Sequence, residues 1–155
     1  MNRGIAEYYG SLFELSKEDL EYHLEREPSD PYRVIWLYLT SVDINNEQAK
    51  KALSENVREL DKSEWGYQIV QLFLGNLDVD EFRKRMTQQL GEDEQLTERL
   101  CEAYFYLGKY MQLNNKPLDA MNYFKLALST NVYEFVEHRY ASVELDRVRQ
   151  SLINR

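Results

Sequence analysis

The chain has 155 residues, enough for one domain with a real apolar core. Apolar residues make up 43% and charged residues 30%, the composition of a folded globular chain, and six glycines with three prolines favour long helices over many short strands. The net charge of −8 argues against nucleic acid as a partner, and the single cysteine excludes an intramolecular disulfide and a cysteine-based zinc cage.

In chain order, residues 2–9 read as the later part of a helix, with Gly4 at a position of close helix approach. No capping residue precedes them, as expected of a fragment that begins inside a helical pattern. A partner helix follows in SKEDLEYHLEREP. Ser16 with Asp19 resembles a capping box at its start, Leu20 is its large apolar residue, and His23 stands where alanine is usual. Asp30–Pro31 predicts a helix start, a capping side chain followed by a proline in the first turn. The helix so begun carries Val34, Trp36, Leu37 and Leu39. Asn45 or Asn46 opens the next, with Ala49, Ala52, Leu53 and Val57 on one face. Ser63 opens another, with Trp65, Ile69 and Phe73 aligned, and Gly75–Asn76 is its stop. A short helix in DEFRKRMTQQL precedes the acidic turn GEDE at Gly91–Glu94.

From Cys101 to Tyr133 the pattern is complete. Tyr104, Leu107, Gly108 and Met111 lie at the spacing of the first helix of a tetratricopeptide repeat, and Ala120, Phe124 and Ala127 at the spacing of its second. Asn115 and Pro117 mark the turn between them, and Val132 stands where the repeat usually has proline. The last segment puts Phe135, His138, Ala141 and Leu145 on one stripe, which predicts a helix covering the open end of that repeat. An aromatic–Leu–small triplet recurs as Tyr38–Leu39–Thr40, Phe73–Leu74–Gly75 and Tyr106–Leu107–Gly108, at the roughly 34-residue period of such repeats.

The expected fold is therefore all-α, a superhelical stack of antiparallel helix hairpins in one helical-repeat domain over 1–155. Its parts are a degenerate repeat lacking its first turn (1–28), hairpins at 29–61 and 62–92, a complete tetratricopeptide repeat at 93–132 and a capping helix at 133–155.

The segments NRGIAEYYG, DPYRVIWLYL, KSEWGYQIVQLFLGN, YFYLGKY and NVYEFVEHRYASVEL, in this order, cover nearly all of the chain. They resemble the C-terminal half of the NlpI lipoprotein family of gammaproteobacteria. That resemblance implies a homodimeric, non-catalytic adaptor on the periplasmic side of the outer membrane. It also implies partners, namely peptidoglycan hydrolases and a periplasmic tail-specific protease, and a role in cell-wall turnover and division. This chain carries no signal peptide and no lipid-attachment cysteine in its N-terminal residues.

The residues point the same way, toward binding rather than chemistry. No Gly-rich phosphate loop, HExxH, nucleophile elbow or paired-cysteine motif is present, so no catalytic, cofactor-binding or metal-binding residue is assigned. His138 is expected to pack or to bond a helix end, and Cys101 to be an inert buried thiol. Asp78 and Asp80 lack the glycine and glutamate of a calcium loop, so a helix N-cap is the better reading. Trp36 and Trp65 sit at core spacing, the competing reading being partner anchors.

In a tetratricopeptide repeat the positions one after and three before the glycine face the concave groove. That places Lys109 and Phe105 there, with Gln112 a turn further on and Glu102 a turn earlier. Tyr8 and Tyr9 are assigned to the same surface, and such a groove suits an extended or helical peptide. The competing function is a cytosolic co-chaperone-type module gripping a C-terminal carboxylate. It would need a basic cluster, whereas Lys109 is the only basic groove residue of the complete repeat.

Overall fold

The computed structural model describes residues 1–88 and 96–154, and the expected turn at Gly91–Glu94 lies outside them. The described residues form helices and no strand. They gather into two compact units, Met1–Leu77 and Asp78–Arg155. The hairpin expected over 62–92 is divided between the two.

The first unit holds α1 (Asn2–Tyr9), α2 (Phe13–Arg26), α3 (Pro31–Ile44), α4 (Asn46–Asn56), a 3-10 turn (Val57–Glu59) and α5 (Gly66–Leu74). Each of the first four packs against the next in sequence, and α5 returns to lie on α3. With α2, α4 and α5 around it, α3 is buried on every side from Val34 to Thr40. A helix so enclosed needs apolar residues all round, and VIWLYLT supplies them. Trp36 is thus core, as its spacing predicts.

The local start and stop signals hold where the side chain acts within its own turn. The Asp30 carboxylate accepts from the Tyr32 amide at 2.8 Å, and Pro31 opens α3. Asn45 accepts from the Gln48 amide at 3.1 Å and caps α4. Gly75 adopts φ +76°, the left-handed turn that ends α5.

Two start signals do something else. α2 begins at Phe13, a turn before the expected capping box, so Ser16 and Asp19 lie inside the helix and face α1. Asp19 accepts from the Gly4 amide at 2.9 Å and pairs with Arg3, while Ser16 donates to the Gly4 carbonyl at 2.7 Å. Ser16 and the Thr40 hydroxyl are 3.2 Å apart. Asp19 thus satisfies an amide at the N-terminal end of α1 from across the hairpin, where α1 has no side-chain cap of its own. Burial pushes the Asp19 carboxyl up, but Arg3 and the Gly4 amide outweigh it and hold it below the ordinary value. Ser63 likewise does not cap α5: its hydroxyl donates to Asp61, and α5 starts three residues later.

The second unit holds α6 (Val79–Arg85), α7 (Leu96–Leu113), α8 (Pro117–Ser129) and α9 (Val136–Ile153). Asp78 accepts from the Glu81 amide at 2.8 Å, the N-cap of α6. α7 packs on α8, α8 on α9, and α9 also reaches α7. Both joints turn on an asparagine in the left-handed region, Asn115 at φ 55° and Asn131 at φ 57°. Asn131 ends α8 next to Val132, where the proline stop was missing, because asparagine tolerates this conformation better than most residues.

At the α7–α8 crossing, a β-carbon added to Gly108 would lie 2.5 Å from the Phe124 ring. Ala120, Phe124 and Ala127 are all fully buried beside it. In the first unit the same addition at Gly4 would lie 3.0 Å from Leu20. Both glycines allow two helix backbones to close on each other.

Candidate interaction face

The sequence-assigned groove residues divide between the units. In the first, Tyr8 is buried and Tyr9 half-buried, and their rings meet edge to face at 5.0 Å. Both also contact Trp36, and Tyr8 contacts Phe13. This is an aromatic cluster inside the unit and not an open surface.

In the second unit, Phe105 is fully buried with its ring 5.9 Å from that of Phe124 on α8, and Lys109 is only 5% exposed because it pairs with Glu144 of α9. Glu102 and Gln112 are half-buried. The face assigned to a ligand thus exists as a row of donors on α7, with α9 supplying the acceptors. Tyr106 donates from its hydroxyl to Glu137 Oε1 at 2.8 Å. Lys109 Nζ donates to Glu144 Oε1 at 2.6 Å, and Gln112 Nε2 to Glu144 Oε2 at 2.9 Å. The donors recur every three residues along α7 and the acceptors are seven apart on α9. The seven-residue spacing keeps both acceptors on nearly one face of α9. Three-residue steps drift by about 60° each, so the donors cross α7 as a diagonal row. The pairs advance in the same chain direction, so α7 and α9 run parallel with α8 returning between them.

Glu144 is 1% exposed, and Lys109–Glu144 is therefore an ion pair removed from water. Attraction across such a pair is strong, but both desolvation costs oppose it. Glu137 is also buried, and burial pushes its carboxyl above the ordinary value despite its own backbone amide and the Tyr106 hydroxyl. Beneath the α8–α9 joint, Cys101 is fully buried, and desolvation pushes its thiol up to about 11. The charges of Glu137 and Glu102 add to that rise while a bond with Thr130 opposes it. A thiol in this state is neutral and unreactive near pH 7. His138 places Nε2 3.1 Å from the Leu128 carbonyl near the end of α8, and Tyr133 packs edge-on against its ring. It serves the joint, as expected from its position.

Glu137 yields a pH prediction. A carboxyl whose folded value is raised binds more protons folded than unfolded, so stability falls as pH rises from the unfolded value through the folded one. Glu137→Gln keeps an acceptor for Tyr106 and removes the charge. Urea melts of the variant should lie above wild type at pH 8 and converge with it as pH falls below the ordinary glutamate value of about 4.3. Parallel curves across that range would contradict the raised carboxyl.

Sequence reasoning did not single out Glu137 or Glu144 as partners of α7. The only signal was their spacing of seven, which any helix of this composition can show by chance. Among the described residues, no three histidine, cysteine or acidic side chains converge as a metal site, and no helix is long and apolar enough to cross a membrane. No protein-family model matches the sequence.

Proposed function

We propose that this chain is a non-catalytic scaffold of tetratricopeptide-type hairpins that holds other proteins together. One observation carries the reading. In each unit a glycine presses against a large side chain sixteen residues later, Gly4 on Leu20 and Gly108 on Phe124. Sixteen is the offset between the glycine of a tetratricopeptide repeat's first helix and the large residue of its second. By resemblance to the NlpI family, the partners are peptidoglycan hydrolases and a periplasmic tail-specific protease. The setting is the periplasmic side of the outer membrane, in cell-wall turnover and division, with the adaptor acting as a homodimer.

The mechanism is proximity. A tether that holds two proteins raises their mutual concentration to the order of millimolar without chemistry of its own. The competing carboxylate-clamp reading loses ground, because the charge of Lys109 is already neutralised by Glu144 inside the fold.

The test is reconstitution. A purified tail-specific protease and a peptidoglycan hydrolase are mixed with and without the chain, and hydrolase cleavage is followed by gel. Faster cleavage that passes through an optimum as the chain is titrated is the expected result of a tether, since excess scaffold separates the two clients. Unchanged cleavage, together with no co-migration of either enzyme with the chain, would remove the proposal.

A further inference from the structure

The polar row between α7 and α9 is more than a terminal helix needs. Covering the end of a hairpin requires only an apolar face and a solvated back. Here α9 instead buries two carboxylates, and each meets a donor on α7. The one charge pair in this row, Lys109–Glu144, adds little stability over apolar residues of the same shape, and register is the best-attested use of such a pair. The α7 face thus reads a helix by its charge pattern.

The joint between α8 and α9 is fastened by the His138 and Tyr133 contacts and not by buried apolar residues of its own. None of the six residues Thr130–Phe135 is buried, and the turn is made at the left-handed Asn131. At eighteen residues α9 is also long enough for helix formation on its own to be marginal instead of negligible.

We propose that the α7 face carrying Tyr106, Lys109 and Gln112 is a receptor for an acidic amphipathic helix. α9 is its resident occupant, and a partner protein engages the chain by supplying a helix with a carboxylate for Lys109 and, seven residues before it, a hydrogen-bond acceptor for Tyr106, which takes the place of α9. The inference rests on the scaffold reading and gives it a binding site. The ligand's carboxylate follows from Glu144 and its acceptor from Glu137, and its apolar edge from Ala141, Leu145 and Val148, which are buried between them and beyond. While α9 is seated, its tether acts as a competitor at a local concentration of roughly millimolar, so the free chain is closed to weak ligands.

The test uses the full chain and a fluorescent peptide of residues 134–153 as the incoming helix. Two variants weaken the resident helix without altering α7: Glu144→Gln and, independently, Val148→Asp. Circular dichroism establishes that each keeps its helices. Polarisation should show at least about tenfold tighter peptide binding to either variant than to wild type. A peptide carrying Glu144→Gln should lose at least about tenfold in affinity for the Val148→Asp chain. Peptide binding should also protect Cys101 from a small disulfide reagent that reaches it in the opened variants.

Equal binding to wild type and variants, or indifference to the glutamate in the peptide, would overturn the inference. So would collapse of helical signal in both variants, since α9 would then be an inseparable part of the core. A dimer formed by exchange of α9 between copies would put a second copy on the face and overturn its assignment to a partner protein. The reconstitution above is scored independently. A scaffold that accelerates cleavage yet fails the peptide test binds its clients elsewhere, and a chain that passes the peptide test but tethers nothing has the receptor without the adaptor role.

Discussion

Glu144→Gln should destabilise the second unit by about 3–5 kcal/mol, because it leaves the Lys109 ammonium buried without an opposite charge. That is a large share of the roughly 5–15 kcal/mol by which a domain is stable. Lys109 is 5% exposed, so its charge must be lost, or α9 must lift to let water in. Urea unfolding followed by helical circular dichroism measures the loss. The control is the double replacement Lys109→Met with Glu144→Leu, which removes both charges at similar volume. It should return most of the lost stability, since neither residue then pays for desolvation. A double variant as weak as the single one would mean that shape, not charge pairing, holds α9 on α7.

Gly108→Ala is expected to cost about 2–3 kcal/mol, although alanine is the better helix former. The propensity gain of roughly 1 kcal/mol meets a steric clash, because the new methyl would lie 2.5 Å from a fully buried phenylalanine ring. The ring sits in a close-packed interior and has no free space to enter. Thermal melting of Gly108→Ala alone and with Phe124→Leu separates the terms. The smaller side chain should restore part of the loss, and equal melting temperatures for Gly108→Ala and the parent would show that the α7–α8 crossing is looser than its geometry. The same substitution at Gly4 should be milder. There the nearest atoms, of the Asp19 and Leu20 side chains, are 3.0 Å away, farther than the Phe124 ring lies from Gly108.

The Lys109–Glu144 pair also marks where reading from sequence stops. Position after Gly108 was enough to place Lys109 on the inner face of its helix. It could not say that a helix of the same chain already occupies that face, because the two residues are 35 positions apart and no short-range pattern links them. Phe105 is likewise buried, against Phe124 of α8. Tyr8 and Tyr9, assigned to that surface from composition and order, meet Trp36 and form part of a core instead. Ser16 and Asp19 show the error in another form. Their spacing satisfies a capping rule, but the helix had started a turn earlier, and the two side chains serve the neighbouring helix across the hairpin.

By itself the sequence determined the helical class, most of the helix limits and the two glycine crossings. Asp30, Asn45, Gly75 and Asp78 act on backbone groups within about four residues of themselves, and that chemistry is legible in a short window. Only the tertiary structure decided that the chain gathers into two units, that α9 seats its glutamates against α7, and that Lys109 and Gln112 are already engaged by Glu144. Those outcomes depend on which distant surfaces bury each other. Many pairings of amphipathic helices satisfy the same periodicity, and the choice among them rests on packing and charge pairing between residues far apart in the chain.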